Sequence, residues 1–283
     1  MNFARTINFS ILTAFLFVTS LCSYSQDDSS KKAKEIYAKA KDNYDKLNYK
    51  TVSEKKEKNG GITSIIFHKV NPDGTVFIRR ENTIEPKSQL NPLNPNIEII
   101  NEQGQFQLIP IEGKAFKMDF QLGTKEIDET GLNISYALSE RDYNETLCYV
   151  VTKRIEPNQL AYERYVEALP SEMQAQAKES KKNFETFFAA VTVFYIAKSD
   201  NFFRKRIRYG ARGKLLGAYE WGEVVINPVF GEGLFKVPDT YAIQILHSSK
   251  EAAKASSEII EKEVKLHAKP IAIKKAIPET NPK

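Results

Sequence analysis

From Ala33 to Leu47, apolar residues recur every three or four positions: Ala33, Ile36, Tyr37, Ala40, Tyr44 and Leu47. That spacing predicts a helix with one apolar stripe and with Lys and Asp on the other face. A polar stretch follows and closes at Asn59-Gly60-Gly61. From Ile62 to Ile155 the period drops to two. TSIIFHKV, NPDG and TVFIRREN read as a hairpin: Pro72 and Asp73 preset the turn, and Gly74 is free to take positive φ. IEIINEQGQFQLIPI turns at 102–104, and KAFKMDFQL sets Phe116, Met118 and Phe120 against Lys117 and Asp119. NISYAL and TLCYVVTKRI complete the run. Short strands with one oily face each, joined by turns, predict an antiparallel sheet that curls, within an α+β chain.

Residues 156–189 interrupt the sheet. Leu160, Tyr162, Tyr165, Val166 and Leu169 predict a short helix after Pro157. Ser171 with Gln174 has the spacing of a capping box for a second one, whose apolar positions are Met173, Ala177, Phe184, Phe187 and Phe188. Two helices inserted in a meander have to bury that face, and the open side of the sheet is the available surface. This insertion, 158–189, is read as a helical lid.

The sheet resumes at AVTVFYIAK and continues through FFRKRIRY, a turn at 210–213, and LLGAYEWG. Strict alternation puts Phe203, Ile207 and Tyr209 on one face and Arg204, Arg206 and Arg208 on the other. Leu215, Tyr219 and Trp221 share a face, and Asn227-Pro228 breaks the strand. The expectation is an oily inner face and an arginine-bearing outer face in contact with water. Ser248 with Glu251 predicts a cap for a helix through Lys265, and the stretch beyond reads as a basic, mobile tail.

The first 25 residues read as a secretory signal: Arg5, then an apolar run from Ile7 to Leu21, then small residues before a cleavage site after Ser25. The alternative is a lipid tether through Cys22, against which Leu21 stands where a small residue is wanted. With the signal removed, Cys148 is the remaining cysteine, read as a small buried apolar residue. The chain is divided as 1–25 signal, 26–247 sheet domain with the lid insertion, and 248–283 helix and tail. A net charge of +5 is mild and does not argue for nucleic acid.

In order along the chain, KAKEIYAKAKDNYDKL, KVNPDGTVFIRREN, TLCYVVTK and FRKRIRYGARGKLLGAYEWGEVVINPVFGEGLFKVP resemble the LolA/LolB-like superfamily of periplasmic lipoprotein carriers. The closing elements of that pattern fall on Gly213, Asn227, Pro228, Phe235 and Pro238. The resemblance implies a half-open, curled antiparallel β-barrel with an N-terminal helix and a helical lid. It implies a cavity for the acyl chains of lipoproteins or lipids, carried toward the outer membrane, with inner- and outer-membrane acceptor proteins as partners. It implies a periplasmic monomer with no cofactor, no metal and no bond-making chemistry. The lining positions that follow are Phe67, Phe77, Phe106, Leu108, Phe116, Met118, Phe120, Tyr209, Tyr219 and Trp221, with Phe184, Phe187 and Phe188 from the lid. The superfamily's functional arginine falls on Arg79 or Arg80, and the register leaves both open. Arg204, Arg206 and Arg208 are candidates for contact with a lipid head group or a partner, set against a simply solvated face.

No catalytic constellation stands out. His68, His247 and His267 are scattered singly, without metal-ligand spacing, and no nucleophile elbow or phosphate loop is present. The competing reading is an exported, non-catalytic module that senses lipoproteins or docks a protein partner.

Overall fold

The computed structural model describes residues 28–57, 60–84, 97–120, 125–179, 184 and 187–267. The signal-like stretch with Arg5 and Cys22, and the basic tail beyond 267, lie outside the described residues. Helix α1 spans 28–46. The strands are β1 (Tyr49–Glu57), β2 (Gly60–Val70), β3 (Val76–Ile84), β4 (Ile97–Asn101), β5 (Gly104–Ile109), β6 (Lys114–Met118), β7 (Ile134–Tyr143) and β8 (Thr146–Ile155). Helices α2 (Gln159–Ala168) and α3 (Ser171–Glu179) follow, then β9 (Val191–Ala197), β10 (Phe203–Tyr209), β11 (Leu215–Ile226), β12 (Ala242–Leu246) and helix α4 (Ser249–His267).

The fold is mixed α+β. The twelve described strands join one curled, unclosed sheet in the order β12-β6-β5-β4-β3-β2-β1-β11-β10-β9-β8-β7. Neighbours are antiparallel except β6 and β12, which run parallel. Short turns account for the hairpin neighbours, since antiparallel strands close over a few residues whereas a parallel partner needs a long return. At the β2–β3 hairpin, Gly74 takes φ +84, as its turn requires, and Asp73 Oδ1 accepts from the Thr75 amide at 2.9 Å.

The polar stretch after α1 is itself a central strand. In β1 the inward positions are Tyr49, Thr51 and Ser53, each at most 2% exposed, while Lys50, Val52 and Glu54 face out. Thr51 and Ser53, two of the three, are small hydroxyl residues, which hides the alternation from a count of apolar residues. Thr51 Oγ1 is satisfied by donating to the Glu223 carbonyl at 3.0 Å.

The concave face of the sheet carries the helices. The stripe on α1 packs on β8–β11: Ala33 and Ala40 pack with Val151, Phe194, Ile196, Phe203 and Trp221. Helix α4 packs at the other end, over β5, β6 and β12, where Ala252, Ala255 and Ile259 meet Ile109, Phe116, Met118 and Leu246. Its predicted cap is present. The Glu251 amide donates to Ser248 Oγ at 3.2 Å, and Glu251 Oε2 accepts from the His247 amide at 2.8 Å. The lid helices sit by β8 and β9, with Ala161, Phe184 and Phe188 packed against Ile155 and Ala190. Asn158 caps α2 by accepting from the Ala161 amide. At α3 the expected capping box does not form. The helix begins directly after Pro170, and Gln174 reaches back to the Leu169 carbonyl at 3.0 Å.

The convex face of β3–β6 is covered by the 227–241 connection. Val237 and Tyr241 pack on Ile99, Phe106, Leu108 and Ala115. Asn101 Nδ2 and Arg79 Nη1 tie that connection down by donating to the Phe235 and Leu234 carbonyls at 2.9 and 3.0 Å.

Candidate functional site

Between α1 and α4 the concave face stays open as a cleft of about 410 Å³. Its floor is two rows of residues in register. One row runs Trp221, Ser53, Ser64 and Asn82 across β11, β1, β2 and β3. The other runs Ile66, Arg80, Glu98 and Gln107 from β2 to β5. Residues directly opposite in register share a face, so these rows form a surface. That surface is polar. Ser64 Oγ donates to Asn82 Oδ1 at 2.6 Å, Arg80 pairs with Glu98, and Gln105 donates to Glu98 at 2.7 Å. Gln107 Oε1 is buried with no partner among the described residues.

Next to the cleft, under α2 and α3, lies a second cavity of about 730 Å³. Its apolar wall is formed by Ile127, Ile155, Leu169, Met173, Phe187 and Phe188. The two spaces meet at Tyr37, Lys41, Glu126, Phe194 and Arg206, which line both. Burial pushes the Tyr37 phenol well above its ordinary range, with Glu129 adding to the effect, so its hydroxyl is a neutral hydrogen-bonding group. Tyr136 beside it is pushed up to about 12 by burial.

The arginines of β10 do not sit as strict alternation predicts. A β-bulge between Phe203 and Lys205 adds one residue, so the pleat changes phase there. Phe203 and Arg206 therefore share the concave face, and Ile207 and Tyr209 point to the convex one. The expectation of an arginine face in outer solvent is corrected for Arg206 and Arg208, which line the lid cavity. Arg206 lies over the Tyr219 and Trp221 rings at 5.3 and 5.8 Å. Its Nε is buried without a partner among the described residues. Arg204, the extra residue of the bulge, is committed to Asp200 at 2.5 Å. Lys205 pairs with Glu220 at 3.0 Å and lies over Tyr143.

The remaining predicted lining positions fall in three places. Tyr219 and Trp221 stand in the cleft wall. Phe67, Phe77, Phe106 and Leu108 lie on the convex face instead: Phe67 meets Phe230 at 6.4 Å, and Phe77 meets Phe235 at 6.0 Å. Each alternates with the inward residues of its strand, and the 227–241 connection supplies the oily cover that makes such a convex face tenable. Phe116, Met118 and Phe120 are on the concave face but packed under α4. Of the lid residues, Phe184 and Phe188 are core, and Phe187 is 58% exposed at the cavity. The register separates Arg79 from Arg80. Arg79 is convex, bonded to Glu81 at 2.7 Å, and Arg80 is in the cleft.

The polar floor is the part of the site that the sequence reading missed. Ser53, Ser64, Asn82, Glu98 and Gln107 carry no motif, and the signal that could have found them is the period-two placement of small polar residues in phase with Tyr49 and Ile66. Cys148 is buried, and burial pushes its thiol up, which disfavours the reactive thiolate. Among the described residues, no group of three His, Cys, Asp or Glu is placed to hold a metal ion, and no helix is long and apolar enough to cross a membrane.

Fold and site together describe a single curled sheet with a helix-covered concave cleft. No protein-family model and no curated protein matches the chain. Among solved structures it is similar to an uncharacterized conserved protein from Thermus thermophilus, at 13% identity over 76% of this chain and 99% of that one, with a TM-score of 0.46. It is similar to MucB in the Pseudomonas aeruginosa MucA/MucB complex, at 9% identity over 76% of this chain and 64% of that one, with a TM-score of 0.45. A LolA superfamily protein from Nitrosomonas europaea is also among its structural neighbours, at 9% identity over 72% of this chain and 97% of that one, with a TM-score of 0.29.

Proposed function

We propose that this chain is an exported, non-catalytic carrier that holds the acyl chain of a lipid or lipoprotein in the cavity under α2 and α3. The observation that carries the reading is that cavity: about 730 Å³, walled by Met173, Phe187 and Phe188, with Phe187 58% exposed and Met173 51% exposed. Pockets of roughly 300–1,000 Å³ suit small ligands. An acyl chain entering there gains about 0.8 kcal/mol per buried methylene. Flexible Met173 and flat aromatic rings adapt to chains of varied shape. The polar cleft beyond Arg206 offers hydrogen bonds to whatever the chain is attached to. The signal pattern of residues 1–25 supports export and, with it, a periplasmic location.

Native mass spectrometry of the exported protein, before and after solvent extraction, tests this. A bound mass in the lipid or lipopeptide range that extraction removes supports it. An apo mass with no uptake of added palmitate sinks it. The alternative, docking of a protein partner, has one observation in its favour. Edge strand β12 exposes Ile243 and Ile245 at 54% and 49%, beside a row of backbone groups that no described strand pairs and that a partner strand could join. Under that reading Ile243→Lys abolishes partner binding and leaves palmitate uptake unchanged.

A further inference from the structure

We propose that Arg206 and Arg208 form a receptor for an oxyanion, a phosphate or a carboxylate, where the lid cavity meets the cleft. This rests on the carrier reading and adds to it the head group of the amphiphile. Both residues belong to β10, two positions apart, so their Cα atoms stand about 7 Å apart on one face. Both line the lid cavity.

Neither arginine has an ion pair or hydrogen bond to a described residue. Elsewhere in the fold Arg79, Arg80, Arg164 and Arg204 each hold a carboxylate. A protein that pairs those arginines and leaves two side by side at a cavity has charge there for something else. Arg206 sharpens the point, because its Nε is buried and unbonded. An unmade bond to a charged donor is destabilising, and an incoming acceptor relieves it. The Tyr219 and Trp221 rings beneath the guanidinium hold it at this place, and its fork of N–H donors suits a bidentate oxyanion.

The charge balance of the two spaces points the same way. In the cleft Lys41, Arg80 and Arg206 face Asp45, Glu98 and Glu126, three charges of each sign. In the lid cavity Lys41 and Lys153 are held by Glu126 and Glu129, while Lys125 and the two arginines add positive charge without a matching carboxylate. The excess therefore lies beside the apolar wall. Water reaches Arg208 through the cavity, yet burial and then the neighbouring Arg206 charge push its pKa down. A bound oxyanion would counter the repulsion between the two cations. Tyr165 of α2 lines the same cavity, so the lid closes over the head group and the tail together.

Trp221 is the chain's single tryptophan and lies 5.8 Å from Arg206, so its fluorescence reports binding. Decyl phosphate, decanol and inorganic phosphate are titrated into the mature protein. The expected result is decyl phosphate binding at least about tenfold tighter than decanol, the scale of one or two charge-assisted bonds. Arg206→Gln with Arg208→Gln should bring the two within about twofold and leave decanol affinity in place. Arg208→Gln alone, at an exposed side chain, should lose part of the preference with an unchanged circular dichroism spectrum, which covers the case where losing the Arg206 stack unfolds the protein. Equal wild-type affinity for decyl phosphate and decanol overturns the receptor and leaves the carrier reading standing. A preference that survives the double substitution overturns the assignment to these residues. Inorganic phosphate binding as tightly as decyl phosphate keeps the oxyanion site but overturns the carrier reading. Failure of both ten-carbon probes to bind overturns both.

Discussion

Arg206 lies 5.3 Å from the centre of the Tyr219 ring, its register partner on the neighbouring strand. A cation over an aromatic face at a partly exposed site is worth about 0.5–1 kcal/mol. In a double-mutant cycle of Arg206→Gln and Tyr219→Leu, read by urea unfolding, the coupling is expected at about that size. Additive single effects would mean that the two side chains share the cleft without stabilising each other.

Arg204 is expected to act on stability alone. It meets Asp200 at 2.5 Å, with both side chains largely buried, and Asp200 also accepts from the Phe202 amide at 2.9 Å. Arg204→Ala leaves that carboxylate without its cation at the β9–β10 turn and should lower the unfolding free energy by about 1–3 kcal/mol. Decyl phosphate affinity should not move. A loss of affinity at full stability would place Arg204 with Arg206 and Arg208 after all.

His68 gives the protein an acid-side weakness. Its ring is 5% exposed, stacks 4.6 Å from Tyr49, and donates from Nδ1 to the Leu47 carbonyl at 2.9 Å. Burial lowers its pKa from 6.5, against the opposing pull of the Leu47 bond. The unfolded chain therefore takes up the proton first as pH falls. The stability that His68 contributes is complete above 6.5 and is lost as pH drops below 6.5 toward the lower folded value. Urea midpoints measured from about pH 7.5 to 5 should fall more steeply in the wild type than in His68→Gln. Parallel slopes would assign the acid sensitivity to another group.

The period-two stretches, the α1 stripe, the Gly74 turn and the Ser248–Glu251 cap were legible because each is a local pattern. What alternation cannot say is which face points inward. The oily sides of β5 and β6 face opposite ways. Phe106 and Leu108 look to the 227–241 connection, Phe116 and Met118 look to α4, and only the packed fold assigns the sides. On β10 one bulge reverses the reading of Arg206 and Arg208, and no residue type there announces it. The cleft floor was hidden for the opposite reason. Its hydroxyl and amide side chains are ordinary one at a time and become a surface only when register sets Ser53 beside Ser64 and Ser64 beside Asn82.

Phe116 separates packed core from ligand wall. It is 3% exposed and lies in the cluster that α4 closes with Ala252, Ala255 and Ile259. Phe116→Glu puts an unpaired carboxylate into that contact and should destabilise the fold by at least about 3 kcal/mol. Weaker lipid binding with the unfolding midpoint unchanged would instead mean that α4 moves aside and that Phe116 lines a larger cavity.

Phe187 tests the lid from the other side. Phe184 and Phe188 flank it in sequence and are 2% and 1% exposed, whereas Phe187 is 58% exposed and turned to the cavity. An exposed ring supports the fold little, so Phe187→Ser should change stability by less than about 0.5 kcal/mol. A ring that covers an acyl chain loses its own exposure on binding, which is worth about 1.5 kcal/mol and therefore about tenfold in affinity. Palmitate displacement from Phe187→Ser should show that loss with an unchanged urea midpoint. Wild-type affinity in the variant would remove the lid from the binding site and leave the chain to be held by the sheet alone.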